Sequence, residues 1–393
     1  MPLGRRELIK FMGMMVAAAS CRVLAAAPGR QEDDPRLVLL VLRGGMDGLS
    51  AVPAFGDPQF ESARRGLALA SPGSARDGAL DLDGFFGLHP TLPKLHARWA
   101  AGELAVLHAH CIPYQGRSHF DAQNVLEHGG LAPFSLSSGW LNRAIASRGA
   151  QPKAIAIAPA MPLVLRGKAP VTSWSPSALP APEEELLERL QRLYSEDQTL
   201  AQAFAQALEI NDLAPRQQGA LGGRRDFAAL AQAAGEFLSA PEGPRVAMLE
   251  SVGWDTHARQ ERGGALHGQF RRLDAGLDAL RLSLGEAWRH TVVMVLTEFG
   301  RTVAMNGTEG TDHGTGGAGF LMGGAVRGRQ VVADWPGLSS KSLREGRDLR
   351  PTLDTRALIK GVLADHLGLS MRALAEEVFP DTQRLAPVRD LIA

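Results

Sequence analysis

Arg36 to Leu42 (RLVLLVL) is an unbroken apolar run of strand length that stops at Arg43-Gly44-Gly45, the pattern of a strand buried on both faces. Comparable runs at Leu104 to Leu107, Lys153 to Ala158, Arg245 to Leu249 and Thr291 to Leu296 predict four more strands. Helical patterns lie between them, at Thr91 to Ala101, His119 to His128, Glu183 to Ile210, Asp226 to Leu238 and Leu266 to Trp288. Apolar strands alternating with helices predict crossover connections, hence a doubly wound α/β sheet in one layered domain over residues 35–393. The stretch from Pro180 to Pro244 holds two helical patterns and no strand pattern. Within it Leu186, Leu190, Leu193, Leu200, Phe204 and Leu208 recur at helical spacing, which predicts a helical insertion packed on the sheet core or capping it. The Pro- and Ser-rich segment Ala169 to Pro182 is its lead-in.

The first residues follow a different logic. Gly4-Arg5-Arg6-Glu7-Leu8-Ile9-Lys10 precedes an apolar run from Phe11 to Ala19 and then Ala25-Ala26-Ala27, the charged, apolar and small-residue zones of an export signal. Paired arginines followed by one variable residue, a hydrophobic pair and Lys resemble the twin-arginine motif. Residues 1–27 are therefore expected to be a twin-arginine signal peptide, with the twin-arginine translocation machinery as a partner and a periplasmic or secreted destination. The apolar run is broken by Arg22 and falls short of the roughly 20 residues a spanning helix needs, so no transmembrane anchor is expected in the mature chain. Cys21, after Ala18-Ala19-Ser20, weakly resembles a lipoprotein cleavage site, although Ala18 stands where a larger aliphatic residue is usual.

Composition narrows the remaining choices. At 45% hydrophobic and 21% charged over 393 residues, the chain has the means to bury a large core. Forty-two basic residues balance forty-two acidic ones, and no basic run occurs beyond the N-terminus, so neither nucleic acid nor an anionic membrane surface is an expected partner. Of the two cysteines, Cys21 lies in the signal segment, which leaves Cys111 without an internal disulfide partner.

In open α/β sheets ligands bind beyond the carboxyl ends of strands, so the polar residues there are the candidates. After the first strand comes RGGMDGLS with Asp47, and after the second HAHCIPYQGRSHFDAQ with His108, His110, Ser118 and His119. ESVGWDTHARQ carries Asp255 and His257, TEFGRT carries Glu298, and TDHGTGG carries Asp312 and His313. Carboxylate oxygen combined with imidazole nitrogen is a ligand mix for zinc or manganese. Structural alternatives stand beside several of these. Asp47 suits its own turn backbone, and Ser118 suits the cap of the following helix with Asp121 three residues on. His108 follows an apolar strand, and His96 and His366 fall in helical patterns, all settings for structural histidines. Asp312-His313 between glycines has no evident folding role. Gly314, Gly316 and Gly319 match G-x-G-x-x-G, but a loop precedes them where a dinucleotide site needs a strand.

The stretches LVLLVLRGGMDGLSAVPAFGDP, RSHFDAQ, GWLNRAIA, SVGWDTHARQ, TVVMVLTEFGRT, GTDHGTGGAGFLMGG and VVADWPGL, spread from Leu37 to Phe379, resemble the exported bacterial proteins grouped as domain of unknown function 1501. Members of that family are often encoded beside another exported protein, which the resemblance offers as a partner. The family is similar to the alkaline phosphatase and sulfatase superfamily. That similarity implies a three-layer α/β/α sandwich with a mostly parallel central sheet and a site for one or two divalent metals at the strand ends. It implies Asp47, Asp255, His257, Asp312 and His313 as metal ligands and Ser118 as nucleophile. Arg43, Arg117 and Arg301 lie beside the motifs, where a guanidinium could grip an anion. Two departures stand out. Thr256 alone separates Asp255 from His257 where the superfamily places three residues, and the later histidine of the superfamily has only His366 as a counterpart, leaving His119, His110 or Glu298 to complete the set. The implied activity is hydrolysis of a small anionic ester of phosphate or sulfate. The alternative is a non-catalytic periplasmic binding or assembly protein with a vestigial or structural metal site, or none.

Overall fold

The computed structural model describes residues 34–75, 77–148, 153–176, 183–214, 226–261 and 264–393. The expected signal peptide, residues 1–27, lies outside them. Eleven strands are described: β1 (Arg36–Arg43), β2 (Leu80–Asp81), β3 (Gly87–Leu88), β4 (Leu104–Cys111), β5 (Ala154–Ile157), β6 (Thr172–Trp174), β7 (Val246–Val252), β8 (Thr291–Thr297), β9 (Gly317–Met322), β10 (Gln330–Val332) and β11 (Leu353–Asp354). β2 and β3 form a small antiparallel pair. The rest make one sheet in the order β10-β4-β9-β8-β1-β7-β5-β6, with β11 also on β4.

The five long apolar runs became β1, β4, β5, β7 and β8, and each is sealed from water along most of its length. Alternate side chains of β1 face opposite layers: Val38, Leu40 and Leu42 join one core, and Leu37, Leu39 and Val41 join the other. Burying each such side chain contributes about 1.5–3 kcal/mol, so a strand with two apolar faces fits only between two layers. Helices Pro93–Ala101, Phe227–Ser239 and Ala265–Leu284 cover the first face. Helices His119–His128, Trp140–Ala146 and Thr355–Asp365 cover the second. The fold is a three-layer α/β/α sandwich around a mostly parallel sheet, and residues 35–393 form one compact unit.

β9 is one of the strands, with β6, β10 and β11, that the apolar pattern did not mark. GAGFLM pairs antiparallel with both β4 and β8. β4 and β8 therefore run the same way, and the start of β9 meets the carboxyl ends of β1, β4, β7 and β8 on one edge. Every candidate loop reaches that edge.

The expected insertion differs from the pattern. Its first helical run is two helices, Glu184–Tyr194 and Gln198–Leu213, and Leu186, Leu193 and Leu200 of the apolar stripe are 48%, 69% and 47% exposed rather than packed on the core. Among the described residues of these two helices, Ile210 enters the core and Leu213 packs against it, with Ala214 just beyond. The helix that packs tightly is Phe227–Ser239, where the Phe227 ring occupies the space a side chain at Gly276 would need. Among the described residues no helix is long and apolar enough to cross a membrane.

Candidate metal centre

Three imidazoles and one carboxylate meet at the sheet edge. His257 Nε2 is 2.9 Å from Asp255 Oδ1, His313 Nε2 is 3.2 Å from the same oxygen, and His119 Nε2 is 3.4 Å from Asp255 Oδ2. His257 Nε2 and His313 Nε2 are 3.0 Å apart. Each ring is also held from behind. His119 Nδ1 faces Glu298 Oε1 at 2.8 Å, His313 Nδ1 faces the Arg117 carbonyl at 2.8 Å, and His257 Nδ1 faces Asp312 Oδ1 at 3.2 Å. An acceptor stands at every Nδ1, and a ring that carries its proton there has the Nε2 lone pair free for a ligand. Lone pairs 3.0 Å apart repel unless a proton or a cation lies between or beside them. A histidine whose far nitrogen donates to a carboxylate or carbonyl is the usual construction of a metal ligand. Atoms of His119, Asp255 and His313 fall within 4.8 Å of one another, and His119 Nε2 is buried with no hydrogen-bond partner. The donor set fits a divalent transition metal.

The supports are charged, and Glu298 and Arg301 among them are buried. Glu298 is fully enclosed and accepts from His119, from Gln123 at 3.0 Å and from the Gly44 backbone at 2.8 Å. Burial opposes its charge, yet bonds from His119, Gln123 and the Gly44 backbone hold its pKa below the usual carboxylate range. His119 and Gln123 are four residues apart on one helix, which puts both on the same face. The hydrogen bond to Glu298 raises the pKa of His119, whereas burial lowers that of His313. Asp255 is likewise opposed by burial and held low by Arg301, whose Nη1 donates to it at 2.6 Å. Asp312 is held low first by Asn306, which donates to its Oδ1 at 3.0 Å.

Other candidates sit differently. Asp47 is buried and does not belong to the group of ligand atoms at His119, Asp255 and His313; it is paired at 2.7 Å with the wholly buried Arg64 and accepts from Gln260 at 2.8 Å. It also caps the short helix Gly48–Ala51 through Ser50. Asp47 is thus held apart from the imidazole cluster. Asp312 touches the cluster through His257. Ser118 is at the N-cap position of His119–His128, but its side chain makes no capping bond, and Asp121 instead accepts from Tyr114. Arg301 spends its donors on Asp255 and Thr311, and Arg117 spends its own on Asp348 and Glu345. Arg43 is bound to Glu127, Glu250 and Gln123. Arg117 has φ +62, a left-handed turn that aims its carbonyl at His313. His108 and His110 are buried within β4, bonded to the Val52 carbonyl and the Thr355 hydroxyl, and burial lowers each to about 4. His96 bonds the Asp81 carbonyl. His366 bonds the carbonyl of Arg36, at the opposite end of β1, so it is not the missing ligand. The sequence reading did not single out Arg64, Asn306 or Gln123. Only Gln123 carried a signal, its helical spacing from His119.

The glycines around Asp312-His313 have a packing task. The chain after β8 bridges the chain before β9 at Arg301 and His313, and Gly314 N bonds Gly300 O. A Cβ on Gly300 would lie 2.0 Å from the Gly316 carbonyl oxygen, and one on Gly314 would lie 2.5 Å from the Arg301 backbone. Gly300→Ala is expected to destabilise by about 1–3 kcal/mol and to pull Arg301 off Asp255, because the obstacle is backbone. Denaturant unfolding measures this, and a change below about 0.5 kcal/mol would contradict the close packing.

The family described as protein of unknown function (DUF1501) matches residues 104–378. The chain belongs to this family. A search of curated proteins finds no match. Among solved structures, the chain is similar to the C-terminal periplasmic domain of EcEptC from Escherichia coli in complex with Zn, at 11% identity and a TM-score of 0.38 over 92% of each chain. It is similar to a phosphonate monoester hydrolase of Agrobacterium radiobacter, at 13% identity and a TM-score of 0.38 over 86% of this chain and 74% of that one. A 2-O GAG sulfatase aligns at 10% identity and a TM-score of 0.39, over 86% and 71%.

Proposed function

We propose that this DUF1501 protein is an exported, metal-dependent hydrolase of phosphate or sulfate esters. The observation that carries the reading is the convergence of three Nε2 atoms on Asp255, each ring fixed by a separate acceptor. His119, Asp255, His257 and His313 would hold one divalent ion, zinc or manganese, with Asp312 and Glu298 as the groups that orient two of the rings. A bound ion would polarise a phosphoryl or sulfuryl oxygen and stabilise the charge that develops there. Arg301 fixes the Asp255 carboxylate, and the Arg117 carbonyl fixes His313. Ser118 lies in the chain between the residue that orients His313 and the ligand His119, and its hydroxyl is spared from capping. It is the proposed nucleophile. Export by the twin-arginine machinery, a small anionic ester as substrate and a co-encoded exported protein as partner complete the proposal.

One observation favours the second reading, a binding or assembly protein with a structural metal. Arg117 and Arg301 are both committed to carboxylates, so neither is a free clamp for an anion. Turnover of aryl phosphate and aryl sulfate by the zinc- or manganese-loaded protein separates the two. Ser118→Ala and Ser118→Gly are each expected to abolish turnover with metal content unchanged. Because no capping bond is lost, Ser118→Ala should cost well under the roughly 1 kcal/mol of a working cap. Full activity in both variants removes Ser118 as nucleophile, and a loaded wild type that turns over neither ester favours the binding protein.

A further inference from the structure

Residues 344–348 (REGRD) form a tight turn against the chain that carries the metal centre. The Arg344 N–H bonds the Asp348 carbonyl at 2.9 Å, and the Asp348 N–H bonds the Arg344 carbonyl at 3.0 Å. Between them Glu345 and Gly346 both take left-handed backbone, φ +54 and +63, which reverses the chain within a few residues. The Val303 N–H bonds the Arg347 carbonyl at 3.1 Å, and Asp348 bridges Thr302. The turn is therefore fixed to the chain after β8, next to Arg301 and its bridge partner His313.

Three guanidiniums gather there around two carboxylates. The Asp348 side chain has no exposed surface; its Oδ2 accepts from Arg117 Nη2 at 2.8 Å and Nε at 3.0 Å, and its Oδ1 is 3.2 Å from Arg347 Nη1. Glu345 accepts from Arg117 Nη2 at 2.7 Å and lies 3.5 Å from Arg344 Nε. The group thus carries more positive charge than its own carboxylates balance, and Arg344 Nη1 is buried with no hydrogen-bond partner.

Arg347 is the member of the group that reaches the centre. Its Nη2 donates to the carbonyl of His313 at 2.9 Å. The Asp312 carboxyl, held low first by Asn306, is held low also by the Arg347 charge. The Arg347 side chain is 38% exposed, whereas that of Arg301 has no exposed surface. One bond to a carbonyl and one ion pair leave part of its N–H fork for a further acceptor, and that fork matches the oxygens of a phosphoryl or sulfuryl group.

We propose that Arg347 binds the anionic head of the ester beside the metal centre, with Asp348 and the His313 carbonyl fixing its guanidinium. The assignment rests on the hydrolase reading, and it supplies the anion contact that Arg117 and Arg301, both committed to carboxylates, do not.

Isothermal titration calorimetry with inorganic phosphate, on the zinc-loaded full chain, tests the assignment. Arg347→Ala is expected to weaken phosphate binding about 10–100-fold, the contribution of a charge-assisted hydrogen bond, with zinc content unchanged, and Arg347→Lys should recover part of the loss. Arg350, whose Nε bonds the Ser342 carbonyl, is the charge control: Arg350→Ala removes a cation from the same stretch and should leave the affinity within about twofold of wild type. If Arg347→Ala fails to fold, Arg347→Gln, which can still donate to the His313 carbonyl, carries the same comparison. Equal phosphate affinity in wild type and the folded variant overturns the proposal, as does a zinc-loaded wild type that binds no phosphate, or zinc lost together with the Arg347 guanidinium. The titrations repeated without zinc separate the inference from the reading beneath it. If the wild type takes up no zinc, the metal centre falls; phosphate binding that still depends on Arg347 keeps the anion contact, and binding that is absent or indifferent to Arg347 overturns it.

Discussion

Asp47→Ala is expected to destabilise the fold by about 3–5 kcal/mol, the cost of leaving one member of a buried ion pair alone. Arg64 is wholly buried, and its Nη2 donates to Asp47 at 2.7 Å, while Nη1 donates to the Val303 carbonyl at 3.0 Å. Burial works against the Asp47 charge, but the Arg64 guanidinium holds its pKa below the usual range, so the pair is ionised in the folded state. Removing the carboxylate strands the guanidinium and also strips the cap from Ser50. Replacing both residues, as Asp47→Ala with Arg64→Leu, should recover much of the loss, since no charge is then buried unpaired. Chemical denaturation of the two single variants and the double variant measures the coupling. A loss below about 1 kcal/mol for Asp47→Ala would mean that its carboxylate serves something other than Arg64.

Asp255→Ala is expected to remove one equivalent of metal and all ester hydrolysis. The Asp255 carboxylate is the sole acid within reach of all three Nε2 atoms among the described residues, so its loss leaves the three rings with no carboxylate on their Nε2 side. It also removes the partner of Arg301 Nη1, a guanidinium with no exposed side-chain surface. The accompanying cost in stability is on the order of 2 kcal/mol, less than for Asp47, because Asp255 is 41% exposed and water can reach the stranded group. Elemental analysis of folded wild-type and variant protein gives the comparison. Equal metal content in the two would count against Asp255 as a ligand.

The strands that were legible are those buried on both faces, where alternation gives way to continuous apolar runs such as RLVLLVL. β9 escaped because Gly317 and Gly319 interrupt its apolar pattern, and Gly319 is needed where β9 lies against the Val295 carbonyl of β8 and His110. Its antiparallel sense is a property of the whole sheet and leaves no local mark. In the insertion, the leucine spacing marks helix correctly, but spacing does not say what covers the apolar stripe, and none of its six residues is buried. The same division applies at the centre. Asp255, His257, His313 and His119 stood out as polar residues at strand ends, and the structure brings them together. Their tautomers depend on Glu298, Asp312 and the Arg117 carbonyl, three contacts made across the fold. Asp47 and Arg64 meet through a turn with no periodic signal, so the pairing that holds Asp47 away from the imidazoles is tertiary and was not legible.

Anomalous diffraction at the zinc edge, from crystals of the mature chain grown or soaked with zinc, tests the central claim most directly. The expected result is a peak about 2.0–2.2 Å from the Nε2 atoms of His119, His257 and His313 and from an Asp255 oxygen, with Glu298, Asp312 and the Arg117 carbonyl still behind the rings. A zinc-replete crystal with no peak among these four residues, and with Asp255 bonded only to Arg301, would contradict it.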